Sequence, residues 1–311
     1  MRLFKVFLVV LAVLGFALAQ YPERALTYVI PFDPGGESDI TARLQQPHLE
    51  DMLGVGITVT HRPGGGGAVG WGEFQRSAQA DGYQIIGVNT PHIIAQPSLR
   101  GDAGYETDGF ELISWFHFTP SALIVRQDSP FETLDDLIDF ARNNPQVVTV
   151  AGTGTFTHNH FQTLRLEREA EIDLTYIPFS GTGALKPAIL GGHVSVLMTN
   201  STAGVELGDE VRILAVAAEE RVPALPDAPT FRELGYDIVG GAYRGVAAPT
   251  GTPPEIIEAL ADAFGRVNEI IGEQQELQGY VMTDLRGDEA VALIEQIRED
   301  YEDILQEAGE Q

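Results

Sequence analysis

Short apolar runs alternate with longer amphipathic stretches along most of the chain. Thr27 to Phe32 (TYVIPF) is β-branched and aromatic, as a buried strand requires, and Asp33-Pro-Gly-Gly breaks it. Ser38 and Asp39 are placed to cap a helix carrying Ile40, Leu44 and Leu49, with Pro47 expected to kink it or end it early. Ile57 to Thr60 then reads as a second strand, which completes a βαβ unit. A second unit runs through a helix at Val69 to Ala80 and a strand at Tyr83 to Val88, with Asn89 to His92 as the loop beyond its end.

The same alternation continues downstream. Leu123 to Arg126 is a strand, and Thr133 opens a helix to Arg142 with Leu134, Leu137, Ile138 and Ala141 as its apolar stripe. The strand Val147 to Val150 runs into Ala151-Gly-Thr-Gly-Thr155, where Thr155 or Thr157 can cap a helix carrying Phe161 and Leu164. Leu174 to Ile177, a helix ending at Leu190 and Val194 to Leu197 follow, then an irregular connection from Arg221 to Pro229. Gly245 to Pro249 is a strand, Pro253 starts a helix, and a final helix is expected from about Asp288 to Ala308. This order predicts an α/β fold with mostly parallel sheets, whose ligand loops lie beyond the carboxyl ends of the strands. Loops 33–38, 89–92, 151–157 and 179–183 occupy that position.

The N-terminus departs from the pattern. Arg2 and Lys5 precede an apolar stretch from Val6 to Leu18 that ends in Ala17-Leu18-Ala19, which predicts a signal peptide over 1–19 and a mature start at Gln20. The stretch is short for a membrane anchor. An exported protein is expected.

Composition narrows the chemistry. The 311 residues suit two domains, and 44% apolar residues are ample for a core. The absence of cysteine excludes disulfides, thiolate nucleophiles and Cys-ligated metals. A net charge of -26 opposes nucleic acid, which is bound through many Lys and Arg contacts. Lysine occurs only at positions 5 and 186, and the acidic surface is compatible with salt adaptation.

Motifs of catalysis are missing. Arg62-Pro-Gly-Gly-Gly-Gly67 lacks the Gly-Lys-Ser/Thr of a phosphate loop, and no G-x-S-x-G elbow occurs. His158 and His160, two residues apart, fall on different helix faces and read as a surface pair rather than a metal site. No metal and no cofactor are expected. What remains is a set of Gly/Ser/Thr loops opening onto helix N-termini, where free N–H groups and the helix dipole suit a small anion.

The sequence resembles the periplasmic solute-binding receptors of tripartite tricarboxylate transporters, the TctC or Bug family. The likeness is carried by YPERALTYVIPFDPGGESDITARL (21–44), HRPGGGGAVG (61–70), YIPFSGTGALKPAILGGHV (176–194), LPDAPTFRELGY (225–236) and YRGVAAPTGTP (243–253). It implies a type II periplasmic-binding-protein (Venus flytrap) fold, with one lobe of 22–123 plus 241–311 and another of 124–240. It implies capture of a small organic carboxylate, a tricarboxylate, dicarboxylate or related acid, for delivery to a permease of one large and one small membrane subunit. A monomer is expected. An extracytoplasmic receptor for a signalling system would use the same cleft, and a secreted hydrolase or isomerase of small acids would need a nucleophile or base that no motif supplies.

Carried over by position, the resemblance places Phe32, Asp33, Gly35, Gly36, Ser38 and Asp39 in a first gripping loop and Gly152, Thr153, Gly154, Thr155, Thr157 and His158 in a second. Asn89, Thr90, Phe179, Ser180, Gly181, Thr182, Asn200 and Tyr243 match other parts of the cleft lining. Arg244 is the expected side-chain cation for a ligand with extra carboxylates, and Asp33 is an unexpected charge in an anion-binding loop.

Overall fold

The computed structural model describes residues 21–301; the expected signal peptide and the end of the expected last helix lie outside them. Three parallel strands, β1 (Leu26–Ile30), β2 (Ile57–His61) and β3 (Gln84–Asn89), stand in the order β2-β1-β3. Helices α1 (Glu37–Leu53) and α2 (Ala68–Ser77) make the crossovers between them, and α3 (His92–Arg100) follows β3. The expected loop at 89–92 is therefore very short, because His92 already begins a helix.

The strand expected at Leu123 is the end of a much longer one, β4 (Phe110–Arg126). Its sequence alternates poorly because it is buried on both faces. Three further parallel strands, β5 (Thr149–Thr153), β6 (Thr175–Phe179) and β7 (Val196–Asn200), lie in the order β7-β5-β6. Helices α4 (Leu134–Asn143), α5 (His158–Ala170), α6 (Thr182–Leu190) and α7 (Ser201–Leu207) alternate with them, and β8 (Val211–Val216) runs antiparallel to the end of β4. The chain returns through β9 (Gly241–Pro249), α8 (Pro254–Glu276), β10 (Val281–Leu285) and α9 (Gly287–Asp300). Among the described residues every antiparallel pairing involves β4 or β9, so the expected parallel groups β1–β3 and β5–β7 belong to mixed sheets.

β4 joins the two strand groups. Residues 110–120 pair with β9, and residues 121–126 with β7 and β8. The change falls at Pro120, which has no N–H to donate and stands opposite Gly241. A side chain at Gly241 would collide with the Thr119 carbonyl, so only glycine fits the crossing. Ser121 N–H then donates to Gly240 O at 3.0 Å and resumes pairing on the other side.

Each strand group has its own core. One packs Tyr28, Trp71, Trp115 and Phe264 between sheet and helices, with the two indole N–H groups donating to Gly87 O and Ala290 O. The other group is covered on both faces, by Leu137, Phe231 and Leu166 on one and Leu185, Ile189 and Leu207 on the other. Pro47 does not end α1, which continues to Leu53 and stops at Gly54 in the left-handed conformation. Buried Thr41, Ala42 and Gln45 on one side and Leu49 on the other anchor the helix across the missing hydrogen bond.

Candidate functional site

Four helices start at one place. Their first residues, Glu37 of α1, His92 of α3, His158 of α5 and Thr182 of α6, all line a single narrow cavity, together with Phe32, Ser38, Asn89, Thr153 and Arg244. Each helix follows the carboxyl end of a strand, so the βα order of the sequence is what brings the starts together. Helix N-termini carry partial positive charge and N–H groups without an intrahelical acceptor. The cavity holds about 10 Å³, room for one water, so admitting a larger molecule requires its walls to part.

The first loop is shaped by its own residues. Gly35 adopts φ 73°, and Gly36, not Ser38 or Asp39, is the N-cap and contributes no side-chain bond. Asp39 instead reaches back from the first turn to accept Gly35 N–H at 2.8 Å, and it pairs with His61 at 2.8 Å and Arg43 at 2.9 Å. Burial opposes its charge, but these three donors outweigh burial and hold the Asp39 carboxyl below its usual range.

The third loop meets the first across the cavity, and the second meets the glycine run Gly64–Gly67. Thr153 N–H and Oγ both donate to Asn159 Oδ1, at 3.0 and 2.6 Å, which ties the end of β5 to the start of α5. Glu37 N–H donates to Thr182 Oγ at 3.1 Å, and Ser180 Oγ donates to Asp33 Oδ2. The backbones come so close that a Cβ on Gly183 would stand 2.7 Å from Pro34 O, and one on Gly154 2.6 Å from Gly66 Cα. The Gly64–Gly67 run is thus a close-packed rim.

Inside the cavity wall a chain of hydrogen bonds runs from α3 to β9. His92 Nε2 lies 3.4 Å from His158 Nδ1, and His158 Nε2 lies 2.6 Å from Asn200 Oδ1. Asn200 Nδ2 donates to Glu37 Oε2, and that oxygen also takes Arg244 Nη2 at 2.9 Å. Thr119 Oγ donates to Glu37 Oε1 at 2.5 Å and accepts from Arg244 Nη1 at 3.0 Å. Burial, with the Arg244 charge adding to it, pushes His92 down to about 3 and holds His158 well below the usual range, so both rings are neutral near pH 7. Burial also raises the Glu37 carboxyl, against the pull of Arg244.

Of the residues expected from sequence, Phe32, Ser38, Asn89, Thr153, His158, Thr182 and Arg244 line this cavity, and Asn200 is bonded to its wall. Asp33, Gly36, Ser180 and Gly181 lie where the first and third loops touch, Gly35 donates to Asp39, and Gly154, Thr155 and Thr157 meet the glycine rim. Thr90 and Tyr243 bond each other beside a separate pocket, Phe179 packs into a core, and Gly152 lies beneath Tyr176. His158 and His160 are not a surface pair: the first is 1% exposed, and the second packs on Tyr176. Among the described residues no group of three or more His, Asp or Glu is arranged to hold a metal. Glu37 and His92 were not expected, although both fall inside the loops singled out.

The family model of the tripartite tricarboxylate transporter family receptor matches residues 41–285. The chain belongs to this family. Its fold is shared with the periplasmic binding protein BugD, at a TM-score of 0.87 and 28% identity over 93% of this chain and 99% of that one. It is also shared with MatC from Rhodopseudomonas palustris, solved with bound malate, at 0.83 and 28% over 92% and 100%. A further R. palustris protein, solved with adipate, aligns at 0.86 and 26% over 93% and 98%. The chain is thus a periplasmic, non-catalytic solute-binding receptor with the type II periplasmic-binding-protein fold.

Proposed function

We propose that the chain captures a small organic carboxylate between its two lobes and presents the closed form to a permease of one large and one small membrane subunit. The observation that carries this reading is the convergence of four helix N-termini, at Glu37, His92, His158 and Thr182, on one cavity. Such a site holds an anion by oriented N–H dipoles without needing a buried cation of its own. Phe32, Ser38, Asn89, Thr153, His158 and Thr182 are the contact residues in this account. Malate in MatC and adipate in the second R. palustris protein support the ligand class. Export by the segment 1–19 delivers the receptor to the side of the membrane where it meets its solute.

The proposed mechanism is closure. Ligand in the cavity bridges loops of both strand groups and favours the conformation in which Thr182 meets Glu37 and Ser180 meets Asp33. Native mass spectrometry of the purified protein, followed by identification of the released ligand and a thermal-shift screen of carboxylates, tests the function. A carboxylate released and one or more raising the melting temperature is the expected result. A released sugar or cation, with no response to any carboxylate, contradicts it.

A further inference from the structure

Arg244 is 4% exposed and faces the cavity, yet its charge already faces a carboxylate and only its Nε is without a partner. Glu37 Oε2 stands 2.9 Å from Nη2, and Thr119 Oγ occupies Nη1 at 3.0 Å. The Glu37 carboxylate is in turn filled by Thr119, Asn200 and Arg244. We infer that Glu37 is a specificity-determining residue that withholds Arg244 from the ligand, so that the site selects a singly charged carboxylate over a dicarboxylate or tricarboxylate of similar length. This inference rests on the receptor function proposed above and narrows its ligand class.

The other charges around the site agree. Asp39 is paired with Arg43 and His61, and Lys186 is paired with Glu206. Asp33, in the first loop, has the Ser180 hydroxyl as its partner and adds a negative charge. His92 and His158, the titratable rings on the wall, are neutral. A single carboxylate is served by helix N-termini alone. A second one would meet a guanidinium already paired at 2.9 Å and, in the first loop, another carboxylate. Room for the remainder of a ligand adjoins the site: Glu37 and Thr182 also border a second cavity of about 200 Å³, where Ile40, Ala203, Val205 and Tyr280 stand beside the mutually paired Lys186 and Glu206.

The test is calorimetry of butyrate, hexanoate, succinate and adipate against wild type, Glu37→Gln and the double variant Glu37→Gln/Arg244→Gln. Wild type is expected to bind each monocarboxylate more tightly than the dicarboxylate of the same length. Glu37→Gln frees the guanidinium and should shift that ratio about tenfold or more toward the dicarboxylates. The double variant has no free guanidinium and should return to the wild-type preference, which keeps the test decisive if Glu37→Gln alone fails to fold. Wild type preferring dicarboxylates, or an unshifted ratio in Glu37→Gln, overturns the role of Glu37 while the receptor function stands. A double variant that loses dicarboxylate binding present in wild type overturns it as well. Wild type binding none of the four overturns this inference, and failure of the wider carboxylate screen marks the separate failure of the receptor reading.

Discussion

The guanidinium of Arg244, on β9, lies 2.9 Å from the carboxylate of Glu37, the first residue of α1, and the two side chains are only 5% and 4% exposed. One charge comes from the returning strand and the other from the first binding loop, so the pair fastens the loop to the sheet beneath it. Breaking a buried pair on one side leaves a charge without a partner. Arg244→Gln is therefore expected to cost about 3 to 5 kcal/mol of stability. The double change Glu37→Gln/Arg244→Gln, which leaves two amides able to bond each other, should recover most of that loss. Urea unfolding of the three proteins measures it; equal losses in the single and double variants would contradict the pairing.

Gly183 sits where the α6 loop meets Pro34 across the cavity, and a Cβ there would be 2.7 Å from the Pro34 carbonyl. Gly183→Ala should leave the open form intact and obstruct closure. The expected result is a ligand affinity reduced about tenfold or more with little change in the ligand-free melting temperature. Unchanged affinity would show that the lobes do not close on this contact.

Four histidines, His92, His117, His158 and His160, are held below their ordinary range by burial, His160 to about 4. In the unfolded chain they protonate near pH 6.5, so below that pH the unfolded state binds more protons than the native one. Stability must fall on acidification, by up to about 1.4 kcal/mol per histidine per pH unit. Glu37 and Glu167, raised by burial, work in the opposite direction, as two groups against four. Urea unfolding at about pH 7.5 and about pH 5 should show the loss. Equal stability at both would mean that these rings are not buried as described.

The signal peptide expected over 1–19 makes a direct prediction. The protein recovered from the periplasmic fraction should begin at Gln20, as N-terminal sequencing will show. Residues 1–19 retained on protein in the membrane fraction would mean that the segment is an anchor.

Much of this was legible in the sequence. The strand-loop-helix order located the loops at 33–38, 89–92, 151–157 and 179–183, and all four contribute to the cavity. Other features were hidden for physical reasons. β4 is buried on both faces and contains Pro120, so its first half shows neither period-two alternation nor an uninterrupted run. Glu37 reads as an ordinary first-turn acid that complements a helix dipole. Its one signal was electrostatic: an acid inside an anion-binding loop needs a cation, and Tyr243-Arg244-Gly245 supplies one. His92 was lost in a loop because its helix starts at once after β3, and its burial beside His158 arises only when the strand groups meet.

A carboxylate held, as proposed, between loops of both lobes at the helix starts would protect the backbone on both sides of the cavity. Hydrogen–deuterium exchange with and without a carboxylate identified by the thermal-shift screen measures this directly. Protection should appear together in the loops around 33–39, 89–92, 153–158 and 180–183, because closure orders all four at once. Protection confined to the loops of one lobe, or none in any of them, would contradict it.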